Sequence, residues 1–106
     1  MTKHVITVAV KDGEFDYDGK TCVCVEPGDA VIWEYPGKGG QFAVQFGFES
    51  PFDVHGFKTR PRGSRIAAEI EEKQPGLYKY SIAVYDGSRL WLDDPVIIII
   101  PPKKKK

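Results

Sequence analysis

The chain contains few of the residues from which metal and redox sites are built, with only two cysteines and two histidines among 106 residues. It also lacks any apolar run of 18 residues, so we expect no membrane-spanning helix and no membrane contact. An excess of positive charge is absent too. Fifteen cations balance fifteen anions, and the terminal run Lys103–Lys106 supplies four of those cations. The remaining 11 cations against 15 anions argue against a nucleic-acid-binding domain.

The length is that of one folded domain with a real hydrophobic core. We expect this domain to cover residues 1–102 and the lysine tail, 103–106, to be disordered. The first four residues lead directly into an alternating pattern without an apolar secretion segment. This predicts a cytoplasmic protein as written, or a periplasmic or secreted one if the chain has been trimmed.

Alternation of apolar and polar residues dominates the sequence and is interrupted by Gly, Pro and Asp-Gly turn signals. About eight short strands with almost no helix predict an all-β sandwich. A short helical turn over residues 67–73 is the alternative to one of these strands. The predicted strands are Val5–Val10, Thr21–Val25, Ala30–Tyr35, Phe42–Phe48, Ile66–Ile70, Leu77–Tyr85, Arg89–Leu92 and Val96–Ile100.

Two of these strands have distinctive apolar patterns. In the fourth, Phe42, Val44, Phe46 and Phe48 mark one apolar face. The last strand, Val96–Ile100, is apolar on both faces, whereas a sandwich strand usually has one solvent-exposed, polar face. We therefore expect its outer face to be covered either by the chain itself or by a second copy in a homodimer. A structural domain that self-associates through this strand is accordingly an alternative function.

Two landmarks resemble the cupredoxin family of small blue copper proteins. The first is the turn Pro27-Gly28-Asp29 followed by a strand that ends in Trp33, and the second is Gly76-Leu77-Tyr78-Lys79-Tyr80. The resemblance covers about residues 12–100. It implies a cupredoxin-like Greek-key β-sandwich of seven to eight strands in two sheets.

The same resemblance implies where copper ligands would stand, and this chain has no suitable donor there. The two histidine positions hold Phe42 and Tyr85, the cysteine position Ile82 and the axial methionine position Leu90. A blue copper site needs a thiolate and two imidazoles, and a phenol with a pKa of about 10 is a poor ligand. We expect these four vestigial side chains to pack together as core. The sequence thus predicts a domain without a cofactor that binds an unknown protein or small ligand and is not an electron carrier.

Cys22 and Cys24 offer an alternative function. Paired thiolates suit Cu(I) or Zn(II), and His55 or His4 could complete such a site. Two positions apart on a strand, the cysteine Cα atoms are about 6.6–6.8 Å apart, so reduced thiols are expected rather than a disulfide. Alternation with Val23 and Val25 predicts that both thiols face away from the core.

A partner surface is the third feature of interest. Trp91 lies between Leu90 and Leu92, so it faces the opposite side from them. If Leu90 is in the core, Trp91 is outside or covered by another element. The basic residues Arg60 and Arg62 lie in a loop that could bind an anion or an acidic partner. Neither histidine has a nucleophilic partner in a recognisable motif, so we expect no enzymatic activity.

Overall fold

The computed structural model describes residues 2–17, 19–36, 41–59, 65–85 and 89–100. All regular secondary structure in these ranges is β-strand, as the alternation predicts. The strands are β1 (Lys3–Thr7), β2 (Ala9–Lys11), β3 (Glu14–Asp16), β4 (Cys22–Val25), β5 (Ala30–Glu34), β6 (Gln41–Phe46), β7 (Gly56–Lys58), β8 (Arg65–Glu69), β9 (Gly76–Tyr85), β10 (Leu90–Asp93) and β11 (Val96–Ile99).

The strands form two main sheets and a separate hairpin. The small sheet has the order β1-β5-β8, and the large sheet has the order β4-β11-β9-β6-β7, with β10 also paired to β9. Strands β2 and β3 form the hairpin. The pairs β1/β5 and β4/β11 are parallel, while the other pairs are antiparallel. The two sheets face each other across one core, which confirms the predicted sandwich class.

Strand β9 is ten residues long and pairs with three other strands of the large sheet, β6, β10 and β11. Its half from Tyr80 to Tyr85 pairs with β6 on one edge. Its other edge pairs with β11 and then with β10, which together replace one continuous strand. The break falls at Pro95, which has no N–H for the ladder. Pro95 still accepts a hydrogen bond from Tyr80 N at 3.2 Å, so the sheet remains closed there.

The number of strands is higher than the seven or eight expected from the sequence. The first predicted strand is divided between β1 and β2, and the segment after Phe48 contains the short strand β7. The alternative of a helical turn after residue 67 is wrong over the part that forms β8, because β8 pairs along its whole length with β5. Among the described residues, no helix is long and apolar enough to cross a membrane.

Alternate residues of the two sheets fill the core. Trp33 is fully buried, as expected, and contacts the rings of Phe52, Phe57 and Tyr80 at centroid distances of 5.8, 6.2 and 5.7 Å. Burial of each large apolar side chain stabilises the fold by roughly 1.5–3 kcal/mol. The other buried apolar residues with 2% exposure or less include Ile6, Val8, Val25, Val31, Val44, Phe46, Ile70, Ile82, Val84, Ile97 and Ile99.

Phe48 is not part of the apolar face that the sequence pattern predicts, because its side chain is 95% exposed. Strand β6 ends at Phe46, which is the last residue of the register with β9. The following loop is held by Ser50, whose Oγ donates to Val54 O at 2.6 Å and accepts from Phe52 N at 3.1 Å. This loop places Phe52 in the core where continued alternation would have placed Phe48.

Two turn signals in the sequence have the geometry that they predict. Asp12 and Gly13 have φ angles of 52° and 80° and connect β2 to β3, as an Asp-Gly hairpin turn requires. Gly28 has a φ of 91°, and Asp29 N donates to Glu26 O at 3.0 Å across it. Proline followed by glycine at these positions is typical of a type II turn.

Candidate functional site

The four vestigial ligand positions do not form one packed cluster. Phe42 and Ile82 are 3% and 0% exposed and lie in the core, whereas Tyr85 and Leu90 are 48% and 64% exposed. The expectation that all four pack together is therefore wrong for Tyr85 and Leu90. The reason is strand parity: β9 stays regular up to Tyr85, so residues 82 and 85 face opposite sides of the sheet.

Tyr85 and Leu90 are directly opposite each other on β9 and β10, on the outer side of the large sheet. With them lie Ala83 and Ala43, which are also register partners. The small alanine side chains leave an open cleft of about 210 Å³. The cleft is also lined by Gln41, Phe42, Lys58 and Thr59. The cleft is therefore apolar at its base, formed by Ala43 and Ala83, and on the side formed by Tyr85 and Leu90. The Lys58 side chain lies at its margin.

Trp91 occupies the inner side of β10, opposite Val84. It is half-buried against the core, and the Arg89 guanidinium lies 5.9 Å from its ring centroid. Its neighbours Leu90 and Leu92 are the exposed residues, at 64% and 68%. Trp91 faces away from these leucines, as the alternation predicts. The expectation that Leu90 lies in the core is wrong, because the leucines and not Trp91 face outward.

The outer face of the large sheet is poor in charge. We define it by the outward side chains of strands β4, β6, β7, β9, β10 and β11, which are Cys22, Cys24, Gln41, Ala43, Gln45, Lys58, Leu77, Lys79, Ser81, Ala83, Tyr85, Leu90, Leu92, Val96 and Ile98. Among these, only two lysines carry charge. Asp94, in the break between β10 and β11, accepts a hydrogen bond from Ser81 Oγ at 3.1 Å.

The small sheet presents an outer face of the usual solvated kind. Lys3, Glu34, Arg65 and Glu69 are exposed there, and Arg65 Nε lies 3.6 Å from a Glu34 carboxylate oxygen. Soluble proteins cover such faces with charged and polar side chains. The contrast between the two outer faces marks the large sheet as the unusual surface of this molecule.

The two cysteines are exposed free thiols at the edge of the large sheet, on the same side of β4. Val23 and Val25 are buried, so the predicted orientation of this strand is confirmed. His55 lies in a loop, and its Nε2 is 3.0 Å from Phe48 O. Within the described ranges, no group of three or more His, Cys, Asp or Glu side chains could hold a metal ion.

The basic loop is described only at its margins. Lys58 is exposed at the end of β7, and Arg65 begins β8 beside Glu34. Arg60 and Arg62 lie outside the described residues. An anion-binding role for this loop therefore stays a prediction.

One polar centre was not anticipated from the sequence. The Asp29 carboxylate accepts hydrogen bonds from Thr2 N at 3.1 Å and Glu26 N at 3.0 Å and lies 2.8 Å from His4 Nε2. Burial would raise the pKa of Asp29, but the hydrogen bonds from His4, Glu26 and Thr2 outweigh it and hold that pKa below its usual value. This centre ties β1 to the turn before β5. The only sequence signal for it is the aspartate that follows Pro27-Gly28.

A second polar contact closes the side of the core near β10. Tyr17 OH donates to the Asp93 carboxylate at 2.6 Å, and the Tyr17 side chain is buried. Burial and the neighbouring Asp93 carboxylate both raise the pKa of the Tyr17 phenol. A buried phenol held in this way keeps its proton, stays neutral and donates a hydrogen bond to the carboxylate. We therefore assign the pair a structural role.

The architecture is that of the cupredoxin β-sandwich. The solved structures that resemble it include a pseudoazurin from Sinorhizobium meliloti, with a TM-score of 0.57 and 17% identity over 96% of this chain and 76% of that one. A pseudoazurin from Hyphomicrobium denitrificans gives 0.53 and 16% over 94% and 77%. A mutant of amicyanin in its Cu(I) form gives 0.52 and 12% over 91% and 82%. At these identities the likeness establishes the fold alone. No family model and no curated protein matches the sequence.

Proposed function

We propose that this chain is a copper-free, cupredoxin-like interaction domain that binds its partner on the outer face of the large sheet. The observation that carries the proposal is the burial of Phe42 and Ile82. At the positions where the resemblance expects a histidine and the cysteine, these side chains are 3% and 0% exposed and pack in the core. Neither has a donor atom for copper, and each contributes apolar contacts instead.

The exposed residues support the choice of surface. Tyr85 and Leu90, at the other two vestigial positions, are turned outward and line the cleft over Ala43 and Ala83. Aromatic and aliphatic anchors around a small recess are typical of binding hot spots. The outer face of the small sheet, by contrast, carries the charged residues that are common on a solvated sheet face.

Addition of Cu(II) tests the proposal against electron transfer. The protein should develop no intense visible charge-transfer band, because Phe42 and Ile82 supply no imidazole or thiolate. Exposed thiols can bind or reduce copper by themselves, so the matched control is the Cys22→Ser/Cys24→Ser variant. A blue or green product that persists in this variant would overturn the proposal.

The exposed cysteines favour a second candidate, a Cu(I) or Zn(II) protein. Both thiols lie on one side of β4 and are open to solvent, so a soft metal could reach them. Zinc usually takes four protein ligands in structural sites, and the thiols supply two. Metal content should be compared between the purified protein and Cys22→Ser/Cys24→Ser. Stoichiometric metal in the first and none in the second would favour this candidate, and negligible metal in both would remove it.

A further inference from the structure

The outer face of the large sheet has the extent of a stable interface. Strand β9 has ten residues, which makes the face about 33 Å long at 3.3 Å per residue. Three to four strand columns at about 4.8 Å give it a projected area of roughly 500 Å². A specific dimer needs at least about 1,000 Å² counted over both partners, so one such face from each copy reaches that size.

Much of this area is supplied by large apolar side chains. Leu77, Tyr85, Leu90 and Leu92 retain 62, 48, 64 and 68% of their full exposure. Tyr85, Leu90 and Leu92 lie together at one end of the face and Leu77 lies near the other end. Exposed apolar surface of this kind on a monomer is often functional. The face as a whole has few charged side chains, since Lys58 and Lys79 are the only charged residues among its outward strand residues defined above, and a low content of charge is a compositional mark of an interface.

The face carries both halves of a self-complementary contact. Leu77 projects near one end of β9, while the cleft over Ala43 and Ala83 opens near the other end. Midway between them lies Ser81. A two-fold axis near Ser81 places Leu77 of each copy over the cleft of the other, because an isologous contact sets each patch against its counterpart.

Two opposite charges lie near this axis. Asp94 accepts a hydrogen bond from Ser81 Oγ at 3.1 Å, and the exposed Lys79 precedes Ser81 on the same face of β9. The centre of the face therefore carries one charge of each sign per copy and no excess of either. A face with both a projecting side chain and its receiving cleft favours a second copy over an unrelated partner.

We propose that two copies of this chain associate face to face through the outer face of the large sheet, with Leu77 of each copy inserted into the cleft of the other. This inference rests on the proposed function as an interaction domain and names the partner. The sequence-based expectation of a dimer involved the strand Val96–Ile100, whose outward residues Val96 and Ile98 belong to this face; the inference extends the contact to Leu77 and the cleft.

Sedimentation velocity under reducing conditions tests the inference. The 11.9 kDa chain should convert reversibly from monomer to dimer between about 1 and 500 µM, since an interface of about 1,000 Å² lies at the small end of the range and gives weak association. Leu77→Lys replaces the apolar side chain that enters the cleft with a charged one, and Ala83→Lys fills the cleft itself. Each should weaken association at least about tenfold. Ala67→Lys is the matched control, because it adds the same charge at an exposed position on the outer face of the small sheet, and it should leave the dissociation constant unchanged.

Each other outcome overturns the inference. A monomer at every concentration excludes self-association, and assembly beyond a dimer excludes two-fold packing. A dimer that survives both Leu77→Lys and Ala83→Lys, with all variants folded by circular dichroism, places the contact elsewhere. These failures leave the proposed copper-free function standing, since that proposal is tested by the copper spectrum.

Discussion

The indole of Trp33 donates a hydrogen bond from Nε1 to the hydroxyl of Tyr80 at 3.2 Å. Trp33 comes from the small sheet and Tyr80 from the large sheet, and their ring centroids lie 5.7 Å apart at an interplanar angle of 74°. Both side chains are buried. The pair thus joins the two layers of the sandwich by a polar contact and an edge-to-face ring contact together.

Removal of the Tyr80 hydroxyl should weaken this connection. Tyr80→Phe keeps the ring but leaves the buried Trp33 N–H without its acceptor, and we expect a loss of about 1–3 kcal/mol in the free energy of unfolding. Urea unfolding measures this loss. Tyr85→Phe is the matched control at a half-exposed position of the same strand, and its effect should be smaller. Equal effects of the two substitutions would contradict the assigned contact.

Alkaline solution should destabilise the fold for a related reason. Burial raises the pKa of Tyr80 from 10.0 to about 12, so between these values the unfolded chain loses a proton that the folded chain keeps. The stabilisation that Tyr80 contributes is therefore fully present below about pH 10, and it decreases as the pH rises toward 12. The expected loss from Tyr80 is on the order of 1 kcal/mol at pH 11. Unfolding curves at pH 9 and 11 should show a larger decrease for the wild type than for Tyr80→Phe, and an identical decrease would contradict this origin.

Much of the architecture follows from the sequence because strand parity and turn chemistry are local. Val23 and Val25 face the core, and the Asp12-Gly13 turn adopts positive φ angles, as their patterns predict. Trp33 is buried where the first landmark places it. These features depend on few neighbours, so one sequence is enough to predict them.

Features that depend on the length and pairing of whole strands, or on contacts between distant residues, were not predicted correctly. Phe48 continues an apolar alternation but lies beyond the end of β6, since pairing with β9 stops at Phe46. Tyr85 and Leu90 were assigned to the core by their spacing from a landmark, although parity along β9 turns them outward. The contact between His4 and Asp29 joins residues 25 positions apart, which no local pattern reports.

The two faces of β10 should respond differently to truncation. Trp91 packs against the core and Leu92 is 68% exposed. We expect Trp91→Ala to lower the free energy of unfolding by at least about 1 kcal/mol and Leu92→Ala to change it by less than about 0.5 kcal/mol in the monomer. Chemical unfolding at a concentration below the onset of association separates the two effects. A larger loss for Leu92→Ala would reverse the assigned orientation of β10.

The Asp29 centre should make part of the stability sensitive to acid. Because its hydrogen bonds lower the pKa of Asp29 below 3.8, the contribution is present above about pH 4 and is lost as the pH falls through the folded-state pKa. Asp29→Asn cannot titrate and should be about 1 kcal/mol less stable near neutral pH. The difference between the wild type and this variant should shrink on acidification below pH 4. A difference that stays constant down to pH 2 would contradict this mechanism.

We propose that Phe42 and Ile82 are packing residues at the positions where the resemblance to cupredoxins implies a histidine and the cysteine. The most direct measurement is the copper content and visible spectrum of Cys22→Ser/Cys24→Ser after mixing with one equivalent of Cu(II) and desalting. We predict copper far below one ion per chain and no intense visible band, because Phe42 and Ile82 supply no donor atom. One tightly held copper per chain with an intense band in the visible region would contradict the account.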